Sequence, residues 1–238
     1  MPLEAAQAHY LFGVMRKGVG EVLEVFDGRN GTWEAEVVEA RKKGGVLLCR
    51  AQIAAQRDPP DLWLLFAPIK KVRTDFIVEK AAEMGARRIV PVLTDFTNSE
   101  RVRADRLQAH AVEAAEQCGG NFVPEVTEAV KLDRLLAGWD PARRVIFCDE
   151  SAVGLASDFR RTPVGPESGS DPGPRSGPRS GPWAILIGPE GGFSEAERDR
   201  LRGLDYAHAV SLGPRILRAD TAAVAALTLW QSALGDWT

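Results

Sequence analysis

Two short apolar runs near the C-terminus each end in glycine, and each is followed by a helical pattern. Ala184–Ile187 leads into the loop Gly188–Gly192, and Ala209–Leu212 leads into the loop Gly213–Arg215. A strand, a glycine loop and a helix, repeated in this order, are typical of a parallel α/β sheet. In such sheets ligands bind beyond the carboxyl ends of the strands. This repeat therefore predicts both the fold class, α/β, and the region of the ligand site.

The glycines of the first loop are suited to binding a ligand through the backbone. Glycine lets a ligand approach the N–H groups without a Cβ in the way, and Ser194 with Glu197 predicts a capping box on the helix that follows. A single loop of this kind favours the alternative, a tight turn without a ligand. Two in tandem, with Arg218 and Thr221 directly behind the second, favour a ligand site. Neither loop is a Walker A or a G-x-G-x-x-G motif, so ATP and NAD are poorly supported.

The two loops carry a resemblance to a known family. The chain reads LIGPEGGFSEAE from Leu186 and SLGPRILRADTAA from Ser211, and these motifs resemble the RsmE family of SPOUT methyltransferases. Members methylate N3 of one uridine in 16S ribosomal RNA of the small ribosomal subunit, with S-adenosylmethionine as methyl donor. The resemblance implies a SPOUT-type parallel sheet with a C-terminal trefoil knot, preceded by a small PUA-like β-barrel. It also implies a homodimer.

The resemblance implies roles for particular residues of the two loops. Arg218 would stabilise the uridine anion or a phosphate, and Glu190 and Asp220 are candidate proton acceptors. Asp220 has an alternative role, because with Thr221 it is placed to cap a final helix, Ala222–Leu234. The residues that the resemblance assigns to the cofactor are Ile187, Gly188, Pro189, Glu190, Gly191, Gly192, Leu212, Gly213, Ile216, Leu217, Arg218, Thr221 and Ala222.

Composition excludes several other classes of protein. The 238 residues carry a net charge of -3, which argues against a general nucleic-acid coat protein but not against a local basic patch. The three cysteines, Cys49, Cys118 and Cys148, form no C-x-x-C or Cys/His cluster, so neither a zinc site nor a disulfide framework is predicted. The sequence has no secretory leader pattern and no apolar run of membrane length. We therefore expect a cytoplasmic protein without a metal.

Residues 1–58 are predicted to form a small β domain. Glu21–Phe26 and Trp33–Val38 alternate polar and apolar residues around a glycine-rich turn, which predicts a hairpin. From His9 the chain reads HYLFGVMRKGVGEVLEVFDGRNG, which resembles the opening helix and first hairpin of the family's PUA-like barrel. Relatives begin with one more short strand, which this chain either lacks or has in truncated form. The resemblance assigns Arg16 and Lys17 to RNA.

Residues 59–238 are predicted to form the methyltransferase domain. A strand at Leu62–Phe66, a helix at Phe76–Met84 capped by Thr74 or Asp75, and a strand at Ile89–Val92 make a βαβ unit. This unit resembles the first one of the family, in which the basic loop after the first strand faces RNA. A solvated loop is the alternative. The basic residues of the loop are Lys70, Lys71 and Arg73.

Two further segments of this domain are informative. From Glu113 the chain reads EAAEQCGGNFVPEV, which resembles a family motif but has Cys118 in place of the common Ser and Gly120 in place of the common Arg. Asn121 of this motif is assigned to RNA. Residues 162–182 are dominated by Pro, Gly and Ser, which predicts a flexible surface insertion inside the domain.

The predicted function is S-adenosylmethionine-dependent methylation of a uridine in 16S ribosomal RNA. One alternative is a non-catalytic RNA-binding or ribosome-assembly factor with a vestigial pocket. Another is a small-molecule enzyme whose loops bind phosphate. The intact glycines of both loops favour a working cofactor site.

Overall fold

The computed structural model describes residues 1–98, 102–152 and 181–237. The chain divides into two units. The first comprises Met1–Asp58 together with Gly119–Phe122, and the second comprises Pro59–Cys118 and Val123–Thr238. The insertion predicted at 162–182 lies outside the described residues except for its last two positions.

The first unit is built on a four-stranded antiparallel sheet with the order β1-β4-β3-β2. Its apolar positions alternate along β3, so that Ala35 and Val37 are buried against Leu11 and Leu47. Of the two alternatives for the first strand, its absence is excluded: a two-residue strand is present and pairs Pro2 with Val46. The elements are β1 (Pro2–Leu3), α1 (Ala5–Ala8), a π-helix (His9–Val14), β2 (Val22–Phe26), β3 (Thr32–Arg41) and β4 (Gly44–Ala54).

Asn121 belongs to this first unit, although it is remote from the other residues in sequence. Its side-chain amide donates to Ala55 O at 2.9 Å, and its side-chain oxygen accepts from Arg57 N at 3.0 Å. Only 6% of the residue is exposed. The structure thus gives the Asn121 side chain a structural role, whereas the sequence analysis assigned it to RNA.

The second unit is built on a parallel sheet, as the sequence predicted. The strand order is β11-β9-β10-β5-β6-β7, and β8 also pairs with β6. The central strands β5 and β10 are uninterrupted apolar runs because both of their faces are covered. The threading that defines a knot stays a prediction. The strands are β5 (Leu62–Phe66), β6 (Arg88–Leu93), β7 (Glu125–Val126), β8 (Val130–Lys131), β9 (Arg144–Cys148), β10 (Trp183–Ile187) and β11 (Ala207–Val210).

Five helices accompany this sheet in the described part of the chain. The last one, α6, buries Ala223, Ala226 and Trp230 in the same core cluster as residues of β5 and β10. None of the helices in the described ranges is long and apolar enough to cross a membrane. The helices are α2 (Lys71–Glu83), α3 (Ala104–Gln117), α4 (Leu132–Ala137), α5 (Glu195–Arg202) and α6 (Ala219–Leu234).

Two helices begin earlier than the sequence predicted. α2 begins at Lys71 with Lys70 as N-cap, because the Thr74 hydroxyl does not cap the helix but bonds back to Ile69 N and O, both at 3.0 Å. Lys71 and Arg73 therefore lie in the first helical turn and not in a loop. α6 begins at Ala219 with Arg218 as N-cap and no side-chain cap.

Candidate functional site

Three neighbouring parallel strands end in register at one edge of the second unit's sheet. Cys148, the last residue of β9, lies between Ile187 of β10 and Val210 of β11. Each strand then turns into a loop, and these loops with the start of α6 enclose a cavity of about 310 Å³. The cavity lies where ligands bind in parallel sheets, beyond the carboxyl ends of the strands.

The structure brings most of the predicted cofactor residues together around this cavity. The predicted residues that line it are Ile187, Gly188, Pro189, Gly192, Leu212, Gly213, Ile216, Leu217 and Ala222. Four predicted residues do not line it: Glu190, Gly191, Arg218 and Thr221. A further group of residues lines the cavity although the cofactor motifs do not predict them: Cys148, Asp149, Glu150, Ser211, Pro214, Arg215 and Ala219.

Of these residues, Cys148 ends β9, and Asp149 and Glu150 follow it. Their place at the cavity depends on β9 lying between β10 and β11. The sequence contains the strand and the acidic pair Asp149-Glu150 behind it. Recognising this pair as part of the cavity requires the strand order of the sheet.

Both cavity loops contain a glycine in a conformation that other residues rarely adopt. Gly192 has φ 69° and Gly213 has φ 125°. A Cβ added to Gly192 would lie 3.1 Å from Glu150 Oε1, so a side chain there would also press on the cavity wall. Glycine is thus required by the backbone conformation of these loops.

Asp149 fixes the loop that follows β9. Its carboxylate accepts hydrogen bonds from Ser151 N at 3.0 Å, from Ser151 Oγ at 2.9 Å and from Arg202 Nη2 at 2.9 Å. Only 2% of Asp149 is exposed, so the Arg202 charge neutralises a buried carboxylate. These bonds connect the cavity loop to the end of α5.

Two charged side chains of opposite sign line the cavity without an ion-pair partner in the described part of the chain. Glu150 follows β9, and Arg215 lies in the loop after β11. The rest of the lining is mainly backbone, glycine and apolar side chains. This set suits a ligand that carries both an ammonium and a carboxylate group beside an apolar portion.

Cys148, which lines the cavity, is poorly suited to act as a nucleophile. Burial raises the pKa of its thiol to about 12, although part of the residue is accessible from the cavity. A thiol with that pKa is protonated at neutral pH and is a poor nucleophile. The residues that the structure describes contain no group of side chains suited to holding a metal ion.

The start of α6 places two predicted catalytic residues side by side. Arg218 is exposed and forms no ion pair within the described ranges. Asp220 is engaged: its Oδ2 lies 3.3 Å from Arg73 Nη1, and its Oδ1 accepts from Thr221 N at 2.9 Å. Its acidic side chain in the first helical turn also suits the helix dipole.

The remaining predicted RNA residues lie on the surface of their units. Lys70 and Lys71 are exposed at the start of α2. In the first unit, Arg16 follows the π-helix with a positive φ of 57°, and Lys17 pairs with Glu21 at 3.1 Å. The bond from Gly18 N, followed by the Lys17 ammonium, lowers the pKa of Glu21. Within the described residues, the guanidinium of Arg16 thus has no ion-pair partner, in contrast to the ammonium of Lys17.

Comparison with known proteins accounts for nearly the whole chain. A family model described as an RNA methyltransferase domain matches residues 56–231, and one described as an RNA methyltransferase PUA domain matches residues 3–48. A ribosomal RNA small subunit methyltransferase E from Rickettsia conorii is 26% identical, covering 92% of this chain and 84% of the relative.

Two solved structures are similar over almost their full length. A methyltransferase from Legionella pneumophila, in complex with the cofactor SAM, is 28% identical with a TM-score of 0.84, covering 99% of this chain and 93% of that one. A ribosomal RNA small subunit methyltransferase E from Neisseria gonorrhoeae, bound to S-adenosyl methionine, is 25% identical with a TM-score of 0.81, covering 100% and 93%. With its two cavity loops and its PUA domain, the chain belongs to the RsmE family of RNA methyltransferases.

Proposed function

We propose that the protein transfers a methyl group from S-adenosylmethionine to N3 of a uridine in 16S ribosomal RNA of the small ribosomal subunit. The observation that carries this proposal is the cavity at the ends of β9, β10 and β11, which is lined by the two motif loops. Relatives that share the full length of the chain are solved with this cofactor bound. The protein would act in the cytoplasm, where ribosomal subunits are assembled.

The lining of the cavity fits this cofactor. The apolar side chains and backbone groups around Ile187 and Leu212 suit the adenosine portion, and the charges of Glu150 and Arg215 complement the amino-acid portion. When bound, the cofactor supplies an electrophilic methyl group on a sulfonium. The protein's contribution is to hold that group in line with N3 and to keep water away from it.

Methylation at N3 also requires help with a proton, because the uridine imide carries one. Glu190 is exposed at the tip of the first loop and has no hydrogen-bond or ion-pair partner in the described ranges, which favours it as proton acceptor. Asp220 is held by Arg73, and its role is to position that guanidinium. Arg218 would stabilise the negative charge that develops on the uridine ring.

RNA binding is proposed for cations of both units, Arg16 and Lys17 in the first and Lys70, Lys71 and Arg73 in the second. Of these, Arg16, Lys70 and Lys71 are exposed, whereas Lys17 and Arg73 are half-buried and paired with Glu21 and Asp220. Phosphate contacts by such side chains weaken as the salt concentration rises.

A homodimer is part of the proposal. Three alanines of α6, Ala222, Ala223 and Ala226, are buried in the core of the second unit and are therefore covered already by that core. Val72 and Phe76 on α2 lie one helical turn apart and are both exposed, which makes them the better apolar surface for a second copy. Sedimentation of the wild type and of Val72→Glu measures the oligomeric state, and we expect the variant to be a monomer. A variant that stays dimeric would exclude this surface.

The test of the activity is methyl transfer to small ribosomal subunits that lack the modification. Purified protein is incubated with the subunits and tritium-labelled S-adenosylmethionine, and nuclease digests are analysed for 3-methyluridine by mass spectrometry. The non-catalytic alternative predicts binding to subunits without label. A vestigial pocket predicts, in addition, no heat of binding when S-adenosylhomocysteine is titrated.

A further inference from the structure

We propose that Phe96 is a stacking platform for an unpaired RNA base that flanks the target uridine. This inference rests on the proposed function and adds a contact that none of the predicted RNA residues supplies. Phe96 follows β6, in the turn after the carboxyl end of that strand. It is 51% exposed, so a large part of its apolar surface is open to a ligand.

The turn that carries Phe96 is held rigidly by hydrogen bonds between its ends. Thr97 N donates to Thr94 O at 3.0 Å, and Thr94 N donates to Thr97 Oγ1 at 2.8 Å. The two threonine hydroxyl oxygens lie 2.9 Å apart. The turn therefore presents Phe96 without losing the conformational entropy that a flexible loop would lose on binding.

The same turn is joined to the start of α5. Asp95 N donates to Glu197 Oε1 at 2.9 Å, and Ser194 Oγ donates to Asp95 Oδ2 at 2.6 Å. Ser194 and Glu197 are the capping box of α5, directly after the first glycine loop. The position of Phe96 is thus fixed relative to that loop.

Phe96 lies against the first glycine loop on the side away from the cavity. A Cβ built on Gly191 would lie 3.3 Å from the Phe96 Cβ, so the two residues are in close contact. Gly188, Pro189 and Gly192 line the cavity, whereas Gly191 does not. The loop therefore separates the ring from the cofactor cavity. A base stacked on Phe96 would be a neighbour of the reacting base and not the reacting base itself.

An unpaired base is the ligand that matches this exposed ring. An enzyme that modifies N3 must take the uridine out of its pair and its stack, which unstacks the neighbouring bases too. Aromatic side chains bind such bases through their faces, without regard to sequence. A flat ring beside the cofactor loop replaces the stacking energy that the neighbouring base loses when the uridine leaves the stack.

The variants Phe96→Ala, Phe96→Leu and Phe96→Tyr separate stacking from simple apolar cover of Gly191. We expect Ala and Leu to raise the KM for small subunits by about 5- to 150-fold, the range that one base–aromatic stack supplies. Tyr should stay near the wild type, and the affinity for S-adenosylhomocysteine should not change. A Leu variant with wild-type KM, or a parallel loss of cofactor affinity, would mean that Phe96 only covers the loop.

Trp237 provides the matched control, because it is also 51% exposed and belongs to the same unit. Trp237 follows the C-terminal end of α6, whereas the first residues of that helix line the cavity. Because the helix is about 24 Å long at ~1.5 Å per residue, Trp237 is separated from the cavity by the length of the helix. Trp237→Ala should leave the KM for subunits unchanged. Wild-type protein that transfers no methyl group would overturn the proposed function, whereas an active wild type with an unaffected Leu variant overturns only this inference.

Cross-linking identifies the occupant directly. The variant Phe96→p-benzoylphenylalanine is irradiated in complex with small subunits, and the cross-linked nucleotide is located by reverse transcription. The subunits lack the modification and S-adenosylmethionine is left out, because 3-methyluridine itself stops the transcriptase, and we expect a stop next to the target uridine. Cross-links only to a second copy of the chain, or to ribosomal RNA far from that uridine, would contradict the stacking contact.

Discussion

Asp149 and Glu150 are neighbours in the chain and both line the cavity, yet their carboxylates have different partners. Asp149 is neutralised by Arg202 and tied to Ser151, so its negative charge is already used in holding the loop. Glu150 has no such partner in the described part of the chain. The charge that Glu150 carries is therefore available to a ligand in the cavity.

The first prediction concerns this carboxylate. Glu150→Gln should weaken cofactor binding by roughly 10-fold or more, because hydrogen bonds to charged groups contribute about 1.5–3 kcal/mol. Titration calorimetry with both S-adenosylmethionine and S-adenosylhomocysteine locates the contact. Equal losses place Glu150 at the ammonium group, and a loss for S-adenosylmethionine alone places it at the sulfonium. Wild-type affinity for both would contradict the assignment, and Glu195→Gln, on the exposed surface of α5, is the control.

The second prediction concerns Arg218. Arg218→Ala should lower the single-turnover rate by about 10²–10³, the loss typical of a group that stabilises charge in the transition state. Cofactor affinity should not change, since the side chain does not line the cavity. The control is Arg103→Ala, which breaks the ion pair that Arg103 forms within the described ranges, an exposed one with Asp105 at 2.6 Å. A variant with the normal rate at saturating RNA would refute the catalytic role.

At the scale of the elements, the capping box of α5 joins the helix to the turn of Phe96. Ser194→Ala should destabilise the protein by about 1 kcal/mol through loss of the cap. A loss of that size lowers the Tm by about 2–4 °C in a chain of this length. Thermal unfolding followed by circular dichroism measures the shift, with Ser232→Ala on the exposed surface of α6 as control. An unchanged Tm would show that the bonds from Ser194 are dispensable.

Element types could be predicted from the sequence, but two helix starts could not. The apolar runs predicted β5 and β10 within a residue, because buried strands of a parallel sheet are continuous apolar segments. The starts of α2 and α6 were placed too late, at Phe76 and Ala222. Each helix begins after a basic N-cap residue whose side chain makes no capping hydrogen bond, so neither start shows the sequence pattern of a capped helix.

At the scale of the molecule, the predicted insertion provides a further prediction. Deleting residues 166–181 should leave fold and activity nearly intact, because the Pro, Gly and Ser composition predicts a solvated loop. Loop length changes the closure entropy only slowly, by about 0.6 kcal/mol per doubling. The deletion spares Pro182, whose carbonyl accepts from Arg144 N at 3.0 Å. A large fall in Tm would show that the segment packs against the domain.

The composition of the cavity could be predicted only in part, for a reason that lies in the strand order. The glycines in the loops after β10 and β11 indicate a ligand site in the sequence. The segment 148–150 has no comparable pattern, and it joins the site because β9 pairs with both other strands. Pairing partners in a parallel sheet are set by packing across the whole domain, which local sequence does not record.

The three segments that line the cavity are synthesised one after another. The segments after β9 and β10 emerge first, and the last one is complete only when Ser211–Ala222 has been synthesised. During synthesis, therefore, a nascent chain can complete its first unit and most of the sheet before any cofactor can be held. A premature stop anywhere before α6 would yield a protein without this site, and translation is finished before the chain can modify a ribosomal subunit.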